Sequence, residues 1–226
     1  YCFNLKNITI FAYTKIGVEA EKEIFNKAFI YGGNFHPKVN GCFFYLTFPS
    51  MMKVDFFETL YSIAPKQYSK SVIYYLDRIQ NGAVRTLVEK IRKEPNKKIQ
   101  NDLKKGLSNV AFGGTFTTRN ANGIKTASGL CILDFDDVDD VVYQKEILSQ
   151  NKHCFATWVS PSGKGVKALF RINETTNPVE YTAIFNQLVE DFAFKLDKSG
   201  QDICRMCYES YDPEIYVNVD AEIYQP

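Results

Sequence analysis

Asp134 and Asp136 stand one residue apart at the end of the apolar run Gly129–Asp137. In an extended chain residues two apart share a face, so the two carboxylates point one way while Leu133, Phe135 and Asp137 point the other. Left unmatched, two close acids raise at least one pKa or open the strand end, and a divalent cation removes that penalty. A plainer reading stands beside this one. The acids can belong to a strand that runs into an acidic loop, with Asp139 or Asp140 capping a helix from Val141 onwards.

A second chemical stretch is Ser160–Arg171, where Gly163 and Gly165 flank Lys164 in a turn between two strand-like runs. Exposed amides and nearby cations suit such a turn to a triphosphate. It is not a P-loop, which needs more residues between its first glycine and its lysine and is followed by a helix. Lys167 and Arg171 share a face of the following strand, as they also would at a solvent-facing hairpin edge. Arg119, just past a strand pattern, can hold a phosphate or serve as an ordinary turn arginine. Asp197 and Asp202 supply late acids. Arg205, three residues after Asp202, can equally make a surface pair or a cap.

These groups need a scaffold, and the pattern around them supplies one. Asn7–Tyr13 reads as a strand, Ala20, Ile24 and Ala28 as one face of a helix closed near Gly32–Gly33, and Cys42–Phe48 as a covered strand ending at Pro49. From Asp55 to about Lys93 three apolar stripes predict helices: Phe56, Phe57, Leu60, Tyr61 and Ala64; then Val72, Tyr75, Leu76 and Ile79; then Val84, Leu87, Val88 and Ile91. The stretch Arg85–Lys105 is the most basic part of the chain. A solvated helix face explains most such runs, and support for a nucleic-acid backbone is the alternative.

Beyond Asn109 the character changes to short strands. Gly113–Gly114 inside a strand pattern predicts a bulge or a close backbone approach. Asn122–Gly123 predicts a tight turn pairing Val110–Thr118 with Thr126–Asp136. A short helix follows at Val141–Gln150, a strand at Cys154–Val159, and a helix at about Glu180–Leu196 with Tyr181, Ile184, Phe185, Leu188, Val189 and Phe192 inward. Ile215–Ile223 offers a closing strand.

Composition narrows the class. The 226 residues are 45% apolar and 15% aromatic, enough for a sizeable core in one or two domains, and no apolar run is long enough for a membrane span. A net charge of +1 means that any nucleic-acid binding comes from a local patch. The six cysteines are spread as structural, reduced thiols of a cytoplasmic protein, and the Cys204–Cys207 spacing lacks the second pair that a zinc site needs. With no leader before Tyr1, the chain reads as a domain cut from a longer protein.

Four segments carry a resemblance: GGTFTTRN (113–120), SGLCILDFDD (128–137), SPSGKGVKALFRI (160–172) and DKSGQDICRMCYESYDPEIYVN (197–218). In that order they resemble the archaeo-eukaryotic primase superfamily, and more closely the BT4734-like, VirE N-terminal-like primase-like domain of Bacteroides. The resemblance runs from about Ala83 to Tyr224. It implies an α+β fold with a primase-polymerase-like mixed or antiparallel sheet flanked by helices, residues 83–226 forming the core domain and residues 1–82 an N-terminal α/β elaboration.

By the same resemblance Asp134, Asp136 and a third acid are the catalytic metal ligands for Mg2+ or Mn2+. Asp202 is preferred as the third because Arg205 follows it, with Asp197 as competitor. Where such primases place a histidine against the nucleotide phosphates, this chain has Lys167, which keeps the attraction but changes the geometry. Arg119, Ser162, Lys164 and Arg205 become further nucleotide-binding residues. The implied function is a metal-dependent nucleotidyltransferase that makes or extends a short strand on a DNA template or primer from nucleoside triphosphates. The setting is DNA replication, as in a mobile element, with a helicase-like ATPase in the same or a separate chain. Rival readings are a noncatalytic nucleic-acid or nucleotide-binding module, a metal-dependent nuclease or phosphohydrolase, and a structural domain whose acids cap loops.

Overall fold

Short antiparallel strands alternate with helices in the computed structural model, which describes residues 2–5, 8–11, 52–66, 69–192, 196 and 198–226. The fold class is α+β. The helix expected around Ala20–Ala28, the strand at Cys42–Phe48 and Asp197 lie outside the described residues. Strands β1 (Cys2–Leu5) and β2 (Ile8–Phe11) pair as a small ribbon, the latter within the expected first strand.

The central sheet has the order β12-β9-β10-β8 and is antiparallel throughout, with β8 at Leu130–Phe135, β9 at Cys154–Val159, β10 at Val166–Arg171 and β12 at Tyr216–Val217. Alternation along β8 splits its side chains between two cores. Leu130 and Ile132 join Val54, Val110, Trp158 and Leu169 on one face, while Cys131, Leu133 and Phe135 join Ala168, Phe170, Phe185 and Leu188 on the other. The second core is covered by α5 (Pro178–Asp191), whose buried stripe is Tyr181, Ile184, Phe185 and Leu188.

The first core lies against a second antiparallel sheet, β11-β5-β3-β4, built from β3 (Lys53–Phe57), β4 (Lys70–Ser71), β5 (Asn109–Ala111) and β11 (Met206–Tyr208). Here the structure corrects the helical reading of the stripe from Phe56 to Ala64. Val54 and Phe57 are buried in different cores, and Asp55 between them accepts from Phe116 N at 2.6 Å and Ser69 Oγ at 2.8 Å. A strand covered on both faces loses its alternation, so periodicity does not separate it from a helix.

The other two stripes are helical as expected. They form α1 (Val72–Asn81), ended by Gly82 at φ 78, and α2 (Arg85–Lys93). Asn96 caps α3 (Lys97–Lys104) through Lys98 N and Ile99 N, and Val88, Ile91 and Leu107 pin α2 and α3 as a third cluster. The Asn122–Gly123 turn is a short 3-10 helix, Ala121–Gly123, between β6 (Gly114–Phe116) and β7 (Ile124–Ala127). That pairing is shorter than expected, because β8 leaves it to pair with β10. Asp140 caps α4 (Val141–Ser149), accepting from Val142 N at 2.9 Å and Tyr143 N at 3.0 Å.

Candidate active site

Two close backbone approaches, each at a glycine, frame the cavity at the end of β8. A Cβ on Gly113 would stand 2.1 Å from Ile203 O, so the bare turn between β5 and β6 lets the 202–205 loop lie across it, the close approach that the Gly113–Gly114 signal predicts. A Cβ on Gly165 would stand 2.5 Å from Phe135 O, so the 160–165 turn folds directly onto the acidic end of β8. A cavity of about 550 Å³ opens between these segments.

Asp134, Asp136, Ser162, Lys167, Asp202 and Arg205 all line it, and Arg119 does too. Lys164 is not among the lining residues; its backbone carbonyl accepts from Val138 N at 3.0 Å. Ser162 Oγ lies 3.0 Å from Ser160 Oγ, and Asp202 Oδ1 accepts from Cys204 N at 3.0 Å. Arg119 holds the neighbouring turn: its backbone N donates to Ile63 O at 2.8 Å and its Nη1 to Leu60 O at 2.5 Å.

Antiparallel register sets Lys167 directly across from Asp134, and Lys167 Nζ donates to Asp134 Oδ2 at 2.5 Å. The lysine is buried in a central strand, which overturns the solvent-edge alternative. Burial works against its charge. The Cys207 sulfur when ionised, then Asp134 with its hydrogen bond and Asp136, offset this and hold the ammonium above its ordinary range. The Cys207 thiol beside it is pushed up to about 11, mainly by burial, and is neutral at pH 7. Asp136 sits above the ordinary carboxylate range because of burial first and the Asp134 charge second, with Lys167 and Lys104 pulling the other way.

Lys104, at the last turn of α3, also lines the cavity. Burial lowers its pKa, and Asp136 partly restores it. Sequence reasoning placed Lys104 only in a basic run, because nothing local separates it from its neighbours. Arg92, from the same run, turns inward and its Nη2 donates to Ser160 O at 3.2 Å and Tyr211 O at 2.8 Å.

Among the described residues, no three Asp, Glu, His or Cys side chains gather closely enough to hold a metal ion by themselves. What is present is a pair of acids in which Asp134 Oδ1 is buried without a hydrogen-bond partner. An orphaned anionic oxygen costs more than a paired one. Magnesium commonly takes only one or two carboxylates and completes its shell with water and substrate phosphate, so the donor chemistry fits such a cation.

A family model described as "BT4734-like, N-terminal domain" matches residues 102–217, a span that contains every cavity residue named above except Leu60. Among solved structures, the chain is similar to the AEP domain of the primase-polymerase (PrimPol) of cyanophage S-2L, at 12% identity and a TM-score of 0.42, over 76% of this chain and 84% of that one. No curated protein matches it. No described helix is long and apolar enough to cross a membrane.

Proposed function

The chain belongs to the BT4734-like N-terminal domain family, and from that premise we propose that it is a metal-dependent nucleotidyltransferase of primase-polymerase type. The observation that carries the reading is the orphaned, buried Asp134 Oδ1 beside Asp136, whose pKa is raised, in a cavity that also presents Lys104, Lys167 and Arg205. Acids and cations on one cavity are what phosphoryl transfer from a triphosphate requires.

Asp134 and Asp136 would hold Mg2+ or Mn2+ in this proposal; Asp202, expected from the sequence as the third acid, lines the same cavity but does not join them in a three-acid cluster in this structure. Magnesium or manganese bound there supplies charge neutralisation for the attacking hydroxyl and the leaving pyrophosphate. Lys104 and Arg205 take the phosphate oxygens from the other walls. Lys167 orients Asp134 through its hydrogen bond and screens the pair of acids from each other. A DNA template or primer reaches the cavity from its open side.

One observation favours a second reading. Lys167 already occupies Asp134 Oδ2, and an ammonium there competes with a cation, as it would in a noncatalytic nucleotide-binding module. Template-directed incorporation of labelled nucleotides, with magnesium and with manganese, separates the two. Product from the parent and none from an Asp134→Asn, Asp136→Asn double variant that still folds supports the transferase. Nucleotide binding without product under either metal overturns it.

A further inference from the structure

The turn that follows β3 carries two large apolar side chains outward, Tyr61 at 69% and Ile63 at 70% exposure. It is a built turn. Ser62 N donates to Thr59 O at 3.2 Å, Tyr61 N to Thr59 Oγ1 at 3.2 Å, and Lys66 N to Phe56 O at 2.9 Å. Arg119 ties it down at both Leu60 and Ile63. A firmly bonded turn that presents apolar surface to water has no local reason to do so.

Its position supplies one. Leu60, next to Tyr61, lines the cavity, and so do Arg119, Arg205 and Tyr208. Burial pushes the Tyr208 phenol up, and Tyr61, Lys105 and Arg205 all lie near enough to act on its charge. Lys105 in turn feels both tyrosines, and its pair with Asp102 at 2.6 Å is exposed and weakly held. The mouth therefore interleaves aromatic faces with cations.

We propose that this rim, Tyr61 and Ile63 with Tyr208, Lys105 and Arg205, is the binding platform for a single-stranded nucleic acid whose end enters the cavity. The proposal rests on the nucleotidyltransferase reading for what happens at that end, and on the rim alone for binding. Bases stack on aromatic faces irrespective of sequence, while lysine and arginine take the phosphates. A duplex hides its base faces and does not fit such a platform. A second exposed apolar pair among the described residues, Val142 at 76% and Tyr143 at 61%, opens α4 directly after Asp136, Asp137, Asp139 and Asp140, where a polyanion is repelled.

The test is fluorescence anisotropy with a short fluorescein-labelled oligothymidylate, read against a duplex of the same length, over a range of salt. The chain with Tyr61→Ala is expected to bind the single strand at least about fivefold more weakly, as loss of one stacked base predicts. Tyr61→Trp retains binding, and Lys105→Ala flattens the salt dependence by about 0.7 in the log–log slope. Tyr143→Ala, on the acidic side, is the control and binds as the parent does.

Equal affinity of Tyr61→Ala and parent overturns the platform, as does preference of the parent for duplex. So does a parent that binds no oligonucleotide but forms dimers that Tyr61→Ala dissociates. Nucleotide incorporation, measured on the same variants, keeps the two readings apart. A parent that incorporates nothing yet binds through Tyr61 leaves the platform standing and removes the transferase. Incorporation and binding that both ignore Tyr61 do the reverse.

Discussion

Two lysine–aspartate pairs of nearly equal length sit on either side of β9, and they are finished differently. Lys145 Nζ reaches Asp212 Oδ2 at 2.6 Å, and Asp212 also accepts from Val159 N at 2.9 Å and Glu214 N at 3.0 Å. Lys145 has a second acceptor in Glu214 O at 2.9 Å. Every oxygen is used. Lys167 and Asp134 are as close, at 2.5 Å, yet Asp134 Oδ1 is buried with no partner, and Asp136 repels it from two residues away. A buried ion pair that serves only structure is stable when its remaining lone pairs are satisfied. One left incomplete beside a cavity is poised for a ligand that completes it.

The contrast breaks first in activity. Replacing Asp134 and Asp136 by asparagine is expected to lower nucleotide incorporation by about a thousandfold or more, since the charge stabilisation at stake is several kcal/mol. Asp212→Asn leaves incorporation within a few fold under conditions where the variant is folded. Single-turnover incorporation on matched protein concentrations measures both.

In stability the ranking reverses. Asp212→Ala removes a buried carboxylate that pairs with the half-buried Lys145 and accepts from Val159 N and Glu214 N, and is expected to cost about 3 kcal/mol, read as a lower urea midpoint at unchanged slope. Asp134→Asn costs less, because Asp136 remains near Lys167 and the amide oxygen still accepts the hydrogen bond from its ammonium.

Smaller effects sharpen the comparison. Lys104→Ala is expected to raise the KM for nucleoside triphosphate about tenfold, the loss of one charged hydrogen bond, with thermal stability little changed. Adding magnesium raises the melting temperature of the parent and leaves the double asparagine variant unmoved.

The smallest effect is a pH trend without metal. The folded pKa of Asp136 is raised, so its contribution to stability is fully present below the ordinary carboxylate pKa and is lost as pH rises through the folded value. At neutral pH the parent therefore carries a penalty that Asp136→Asn does not. The variant is expected to melt slightly higher at pH 7, and the advantage to vanish as pH falls into the ordinary carboxylate range.

Much of the site was legible because it depends on local geometry. Strand parity put Asp134 and Asp136 on one face, Asp139 or Asp140 stood out as the cap of the next helix, a role Asp140 takes, and glycine at 113 marked the close approach that seats the 202–205 loop. The stripes of α1, α2 and α5 were equally local. Other features needed distant pairing. Only the register of β8 against β10 sets Lys167 on Asp134, only the docking of α3 through Leu107 brings Lys104 to Asp136, and only burial on both faces makes β3 a strand. Arg92 and Arg119, two similar arginines in sequence, became a buried carbonyl ligand and a turn clamp. Periodicity reports which face a residue occupies within its own element. Which other element meets that face is decided by packing between segments far apart in the chain, and in this protein that packing pairs the acids with their cations.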